Sequence, residues 1–122
     1  MPAVVTRYTK NPVGAHYGLR DWLLQRLTAV VMALYTVGFV VCLVWHKPVT
    51  YAQWKAIFAG DFVRLTTFFF LAALLYHAWV GMRDIVMDYV KPTGMRLLLQ
   101  SVIGGVLIIY VIWAASILWG AR

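Results

Sequence analysis

What most limits this chain is a set of three apolar runs, each about as long as a bilayer is thick. Residues 22–45 read WLLQRLTAVVMALYTVGFVVCLVW. At a rise of about 1.5 Å per residue, a helix of that length reaches about 36 Å, enough to cross with some tilt. Trp22 and Trp45 stand at its two ends, where interfacial indoles anchor a span. A second run covers residues 64–89; its apolar part ends near Met82 and Pro92 closes its helix. A third covers residues 97–119. Backbone polar groups in hydrocarbon must be satisfied within the segment, so these runs predict an all-α membrane protein with three transmembrane helices. Composition agrees: 63% of residues are hydrophobic and 12% charged. Soluble domains are typically about 45–50% apolar and about 25% charged. Residues 1–122 therefore read as one membrane domain, with an irregular or interfacial tail over residues 1–21.

The net charge of +7 invites a nucleic-acid partner, but the basic residues flank the apolar runs instead of gathering on one element. That is where topology-setting cations belong, so the partner is the lipid bilayer and no nucleic acid is expected. Three spans place the termini on opposite sides. Arg7, Lys10, Arg20, Arg26, Arg83, Lys91 and Arg96 fall on the side of the N-terminus, and Lys47, Lys55, Arg64 and Arg122 on the other. The excess predicts a cytoplasmic N-terminus. The first run is longer than a signal-peptide core of about 7–15 residues, and no small-residue cleavage site follows it. Cys42 is the single cysteine, so the chain holds no internal disulfide framework.

Between the spans, Lys47-Pro48 stops the first helix, because proline disfavours helix at the residue before it. Residues 46–63 are expected as a loop, with an aromatic, weakly amphipathic piece at 51–58 lying in the interface. Residues 91–96 (KPTGMR) read as a short turn. Ser101, Gly104, Gly105 and Ser116 suit close helix contacts in the third span.

The second span carries the unusual chemistry. His77 is the fourteenth residue from Arg64, about two thirds of the way across. At about 100° per residue, Gly81 lies about 40° from it, and Asp84 and Asp88 about 20° to either side. These four residues form one stripe, which lipid cannot accept, so it must face protein, a cavity or a cofactor. Gly81 would let a flat group or another backbone come close. Three readings of His77 stay open: a hydrogen bond to another helix, a proton relay, or ligation of haem or another metal. This chain has no second histidine at matching depth, so a bis-histidine haem would need a partner chain. Arg26 either snorkels to the headgroups or is held inward for an anionic group. Tyr89, about 120° from His77, is either an interfacial aromatic or a hydroxyl donor to a quinone carbonyl, with Asp88 near it for protons.

The run HAWVGMRDIVMDYVKP, followed by MRLLLQ, resembles the smaller hydrophobic anchor (D) subunits of bacterial succinate dehydrogenases. So does the opening GLRDWLLQRLTAVVMALY, and the likeness covers about residues 18–119. The resemblance implies one of two anchor chains, C and D, that hold a flavoprotein and an iron–sulfur subunit to the bacterial inner membrane and sandwich one haem b. It implies His77 as an axial ligand of the haem iron, Tyr89 as the hydrogen-bond donor to quinone, and Asp88 as an acid of proton supply. It also implies Arg26 near the haem propionates or the quinone pocket. Relatives can carry a histidine just before the acid at the start of the first span; here Arg20 stands there and His16 lies four residues earlier. The implied activity is electron transfer from succinate to quinone, with ubiquinone as the substrate and with this chain not catalytic alone. A fumarate reductase anchor and a small proton-coupled transporter subunit are the alternatives.

Overall fold

A computed structural model describes residues 15–120, with side chains from residue 18 onward. The described residues form four helices: α1 (Ala15–His46), α2 (Tyr51–Ile57), α3 (Asp61–Tyr89) and α4 (Thr93–Gly120). Three of these, α1, α3 and α4, are long and apolar enough to cross a membrane, as the sequence predicts.

The helices are longer than the apolar runs. α1 has 32 residues, about 48 Å at about 1.5 Å each, so it extends beyond a hydrocarbon core of about 30 Å. The expectation of an irregular tail to residue 21 is corrected over residues 15–21, which are helical. Asp21 ties that first part to α3 through Arg83, which holds it against the bundle. The earlier part of the tail, with Arg7 and Lys10, lies outside the described residues. At the other end the His46 ring donates from Nδ1 to the Cys42 carbonyl at 2.9 Å. Lys47 then turns into the left-handed region, φ 43°, and Pro48 prevents a return to helix.

α2 is set by a capping box. Gln53 N–H donates to Thr50 Oγ1 at 3.3 Å, while Gln53 Oε1 accepts from the Thr50 N–H at 3.1 Å. The amphipathic piece expected at 51–58 is thus a true helix. Its Trp54 packs with Phe58 and with Phe39 of α1, ring centroids about 6 Å apart. The expected loop over 46–63 closes sooner, because α3 already starts at Asp61. Arg64 fastens that start: it pairs with Asp61 at 3.1 Å and donates to the Phe58 and Ala59 carbonyls left free by the end of α2. Asp61 therefore also belongs to this helix, about 160° from the His77 stripe.

The expected turn at 91–96 is also shorter, with only residues 90–92 outside helix. The Pro92 carbonyl accepts from Arg96 N–H at 3.0 Å, so the chain re-enters helix directly after the proline that ended α3.

α3 is the middle layer, with α1 packed on one side and α4 on the other. Among the described residues, the buried ones are all its own: Val80, 2% exposed, with Val86 and Thr67. Tyr35 of α1 stacks on Phe70 at 4.4 Å and donates its hydroxyl to Thr67 Oγ1 at 2.6 Å. Thr67 passes its own proton to the Val63 carbonyl at 2.6 Å, so all the polar atoms at this crossing are used. On the α4 side, Gly104 admits the Trp79 indole: a Cβ there would lie 3.4 Å from Trp79 Cζ3. Outward faces such as Leu34, Val37 and Val41 of α1 and Ile108 and Ile112 of α4 stay exposed and apolar. Lipid or other helices must cover them.

Candidate functional site

Two polar stripes meet where α1 crosses α3. On α1, Asp21, Gln25 and Thr28 are spaced i, i+4 and i+7; on α3, His77, Gly81 and Asp84 repeat that spacing. Residues so spaced share one helix face. Facing each other across the crossing, the two stripes supply polar partners that the apolar residues around them cannot.

His77 is half-buried at the centre of this seam. Its Nδ1 lies 3.1 Å from Thr28 Oγ1, and its Nε2 lies 3.3 Å from Gln25 Nε2. Thr28 has one proton and gives it to the Leu24 carbonyl at 2.8 Å. Its oxygen is then an acceptor, which assigns the imidazole proton to Nδ1. The Gln25 amide donates to the Nε2 lone pair. Gln25 Oε1 is buried and has no partner. Of the three readings left open by the sequence, a hydrogen bond to another helix is present. It does not exclude ligation, because with the proton on Nδ1 the Nε2 lone pair remains to be offered.

Gly81 does not face open space. A Cβ there would meet Gln25 Nε2 at 3.8 Å, an ordinary contact. The room expected beside Gly81 for a flat group is filled from α1, and alanine would fit.

Toward the end of α3, Arg83 donates to the Asp21 carboxylate, and its guanidinium also lies 3.6 Å from Asp84. Gly18, Asp21, Trp22, Gln25, Arg26, His77, Val80, Arg83 and Asp84 line a cleft of about 530 Å³. Arg26 sits over the Trp22 ring, 5.5 Å from its centroid. This joins the two readings of Arg26: it is exposed, and it lines the cleft that holds His77. Arg20 is exposed; the side chain of His16 lies outside the described residues.

Asp88 opens on an adjoining cleft with Arg83, Asp84, Met87 and Gln100. Tyr89, the last residue of α3, is 81% exposed and lines neither cleft. The structure thus gathers Arg26 and His77 in one cleft and sets Asp88 beside it. Tyr89 points elsewhere, as its offset around the helix predicts. A further groove of about 730 Å³ lies between α3 and α4; it is mostly apolar and away from these groups.

An imidazole with its proton on Nδ1 and its lone pair on Nε2 would suit a haem iron. Among the described residues no three His, Cys, Asp or Glu side chains converge. A prosthetic group that brings its own equatorial donors needs only His77 from this chain. The cations Arg26 and Arg83 at the same cleft suit its carboxylates. The residues present fit the group.

Gln25, Thr28 and the Asp21–Arg83 pair were missed from sequence. A signal existed: Asp21, Gln25 and Thr28, spaced i, i+4 and i+7, mirror the α3 stripe.

Residues 7–116 match the profile of the succinate dehydrogenase/fumarate reductase transmembrane subunit family. The chain is 40% identical over 105 residues to a succinate dehydrogenase hydrophobic membrane anchor subunit of Coxiella burnetii, covering 86% of this chain and 91% of that one. It is 31% identical to the subunit of the same name from Rickettsia felis, over 65% of this chain and 66% of that one. With the Rickettsia typhi subunit it shares 28%, over 72% and 70%. With three membrane-length helices and a profile match across nearly its whole length, the chain belongs to the succinate dehydrogenase/fumarate reductase transmembrane subunit family.

Proposed function

We propose that the chain is the hydrophobic anchor subunit of a bacterial succinate dehydrogenase and gives one axial ligand, His77, to a haem b shared with a second anchor chain. The carrying observation is the seam geometry: Thr28 accepts from the Nδ1–H and leaves the ligand lone pair on Nε2, beside a cleft bearing Arg26 and Arg83. When bound, the haem would supply a one-electron redox centre. The proposed setting is the inner membrane with the N-terminus cytoplasmic. There the unpartnered apolar faces of α1 and α4 offer surface for the C-type anchor. The flavoprotein and iron–sulfur subunits, which carry succinate oxidation, would dock on the cytoplasmic side.

Quinone reduction takes two electrons and two protons. Tyr89, exposed at the end of α3, donates its neutral hydroxyl to a quinone carbonyl without bringing a charge. Asp88, exposed one residue earlier, delivers protons from the aqueous side. Arg26 supplies a fixed positive charge for haem propionate or the quinone pocket. The resemblance of the DYVKP segment favours ubiquinone.

Purification of the chain with whatever accompanies it, followed by an optical spectrum, tests both parts. Co-purifying flavin and iron–sulfur subunits with a low-spin b-type spectrum are expected. A complete complex without haem overturns the role of His77; a chain that brings no such subunits overturns the anchor reading itself.

A further inference from the structure

The two nitrogens of His77 are divided between two side chains of α1, and this division has a consequence for a metal. The oxygen of Thr28 has already given its proton to the Leu24 carbonyl, so toward His77 it only accepts. It therefore selects the tautomer with the proton on Nδ1 and fixes the plane of the ring. Outer partners of this kind hold histidine ligands in the tautomer that a metal requires and raise their basicity. No carboxylate competes with Thr28 for Nδ1, because Asp21, one turn from Gln25, is taken by Arg83. On the other side of the ring the Gln25 amide covers Nε2 at 3.3 Å, a long hydrogen bond, while its own Oε1 is buried without a partner. That cap is only half satisfied, which makes it displaceable.

We propose that Thr28 is a positioning residue for His77 as a haem ligand, and that Gln25 is a removable cap on the ligand nitrogen. Thr28 keeps its hydrogen bond whether or not iron is present. Gln25 must leave Nε2 before iron can bind there. The inference deepens the haem reading of His77 and rests on it.

The test uses the assembled complex with Thr28→Val, Thr28→Ser and Gln25→Leu, read by haem content per flavin, haem retention on dilution in detergent, and haem midpoint potential. Thr28→Val keeps the shape and loses the acceptor. It is expected to weaken haem retention by about 10–100-fold and to raise the potential, because a less basic imidazole supports the ferric state less well. Thr28→Ser keeps the acceptor and should behave as wild type. Gln25→Leu should hold haem at least as firmly as wild type. Wild-type retention and potential in Thr28→Val would overturn the positioning role, as would equal damage in Thr28→Ser. Haem loss in Gln25→Leu would overturn the cap. If Thr28→Val does not assemble, Thr28→Ala is compared with Thr28→Ser on the same readouts. A wild-type complex without haem would instead overturn the haem reading beneath the inference.

Discussion

Arg83 of α3 donates to the carboxylate of Asp21 on α1, joining positions 62 apart in the chain. Both side chains are about a third exposed or less, at 34% and 26%. The pair closes the seam that holds His77 nearly two turns deeper, and it keeps the first part of α1 against the bundle.

Loss of either partner should therefore loosen that end without unfolding the chain. Arg83→Gln or Asp21→Asn is expected to lower the stability of the assembled complex by about 0.5–1 kcal/mol, in the range of partly solvated pairs. The double variant should lose little more than either single one. A cycle of thermal midpoints measures this, and fully additive losses would show that the two residues act independently.

The hydroxyl of Tyr35 is used at the far end of the same helix crossing. Tyr35→Phe keeps the stack on Phe70 and removes the bond to Thr67. Thr67 still donates to the Val63 carbonyl. The expected loss is about 0.6 kcal/mol, the average for such bonds between membrane helices. Thr67→Val should cost more, since it strands a half-buried hydroxyl. Comparison of the two variants by thermal inactivation checks the order.

Gly104 sets the approach of α4 to α3. Gly104→Ala should assemble as wild type, because its Cβ would reach only ordinary contact with Trp79. Gly104→Leu must push the indole aside, an overpacking cost of about 1–3 kcal/mol. The yield of intact complex in mild detergent separates them, and equal yields would place the Trp79 contact among the dispensable ones.

Tyr89→Phe tests the shallow end of α3. The reading of Tyr89 as a donor predicts slower quinone reduction, by up to about tenfold for one hydrogen bond. Succinate oxidation by an artificial acceptor should be unchanged. Unaltered quinone kinetics would return Tyr89 to the aromatic belt.

The proposed ligation by His77 predicts that His77→Ala removes a low-spin haem spectrum or converts it to high spin, while the complex retains its flavin. An unchanged spectrum would assign the ligand to another residue. The variant also leaves Thr28 and Gln25 facing a void, so a small fall in thermal stability should accompany the spectral change.

Much of this protein is legible in the sequence. Three long apolar runs, bracketing tryptophans and a proline after each of the first two spans leave little room for anything but three crossing helices. Helical periodicity also puts His77, Gly81, Asp84 and Asp88 on one face and Tyr89 off it, because that angle depends only on local geometry. The element ends are less legible. Residues 15–21 extend α1 beyond its apolar run, where Asp21 pairs with Arg83 of α3, and α4 restarts by residue 93 with the Arg96 N–H on the Pro92 carbonyl; local glycines and prolines do not report such partners.

Only the tertiary structure decided what the histidine face looks at. A sequence shows that a polar stripe needs a partner, since hydrocarbon offers none. It does not show whether that partner is a ligand, another chain or the same chain. Here the antiparallel crossing brings Thr28 and Gln25 onto the ring of His77, Gln25 into the space beside Gly81, and Asp21 onto Arg83. The pairing follows from the register of α1 against α3. That register is set by buried contacts such as Tyr35 with Thr67, and no single helix encodes it.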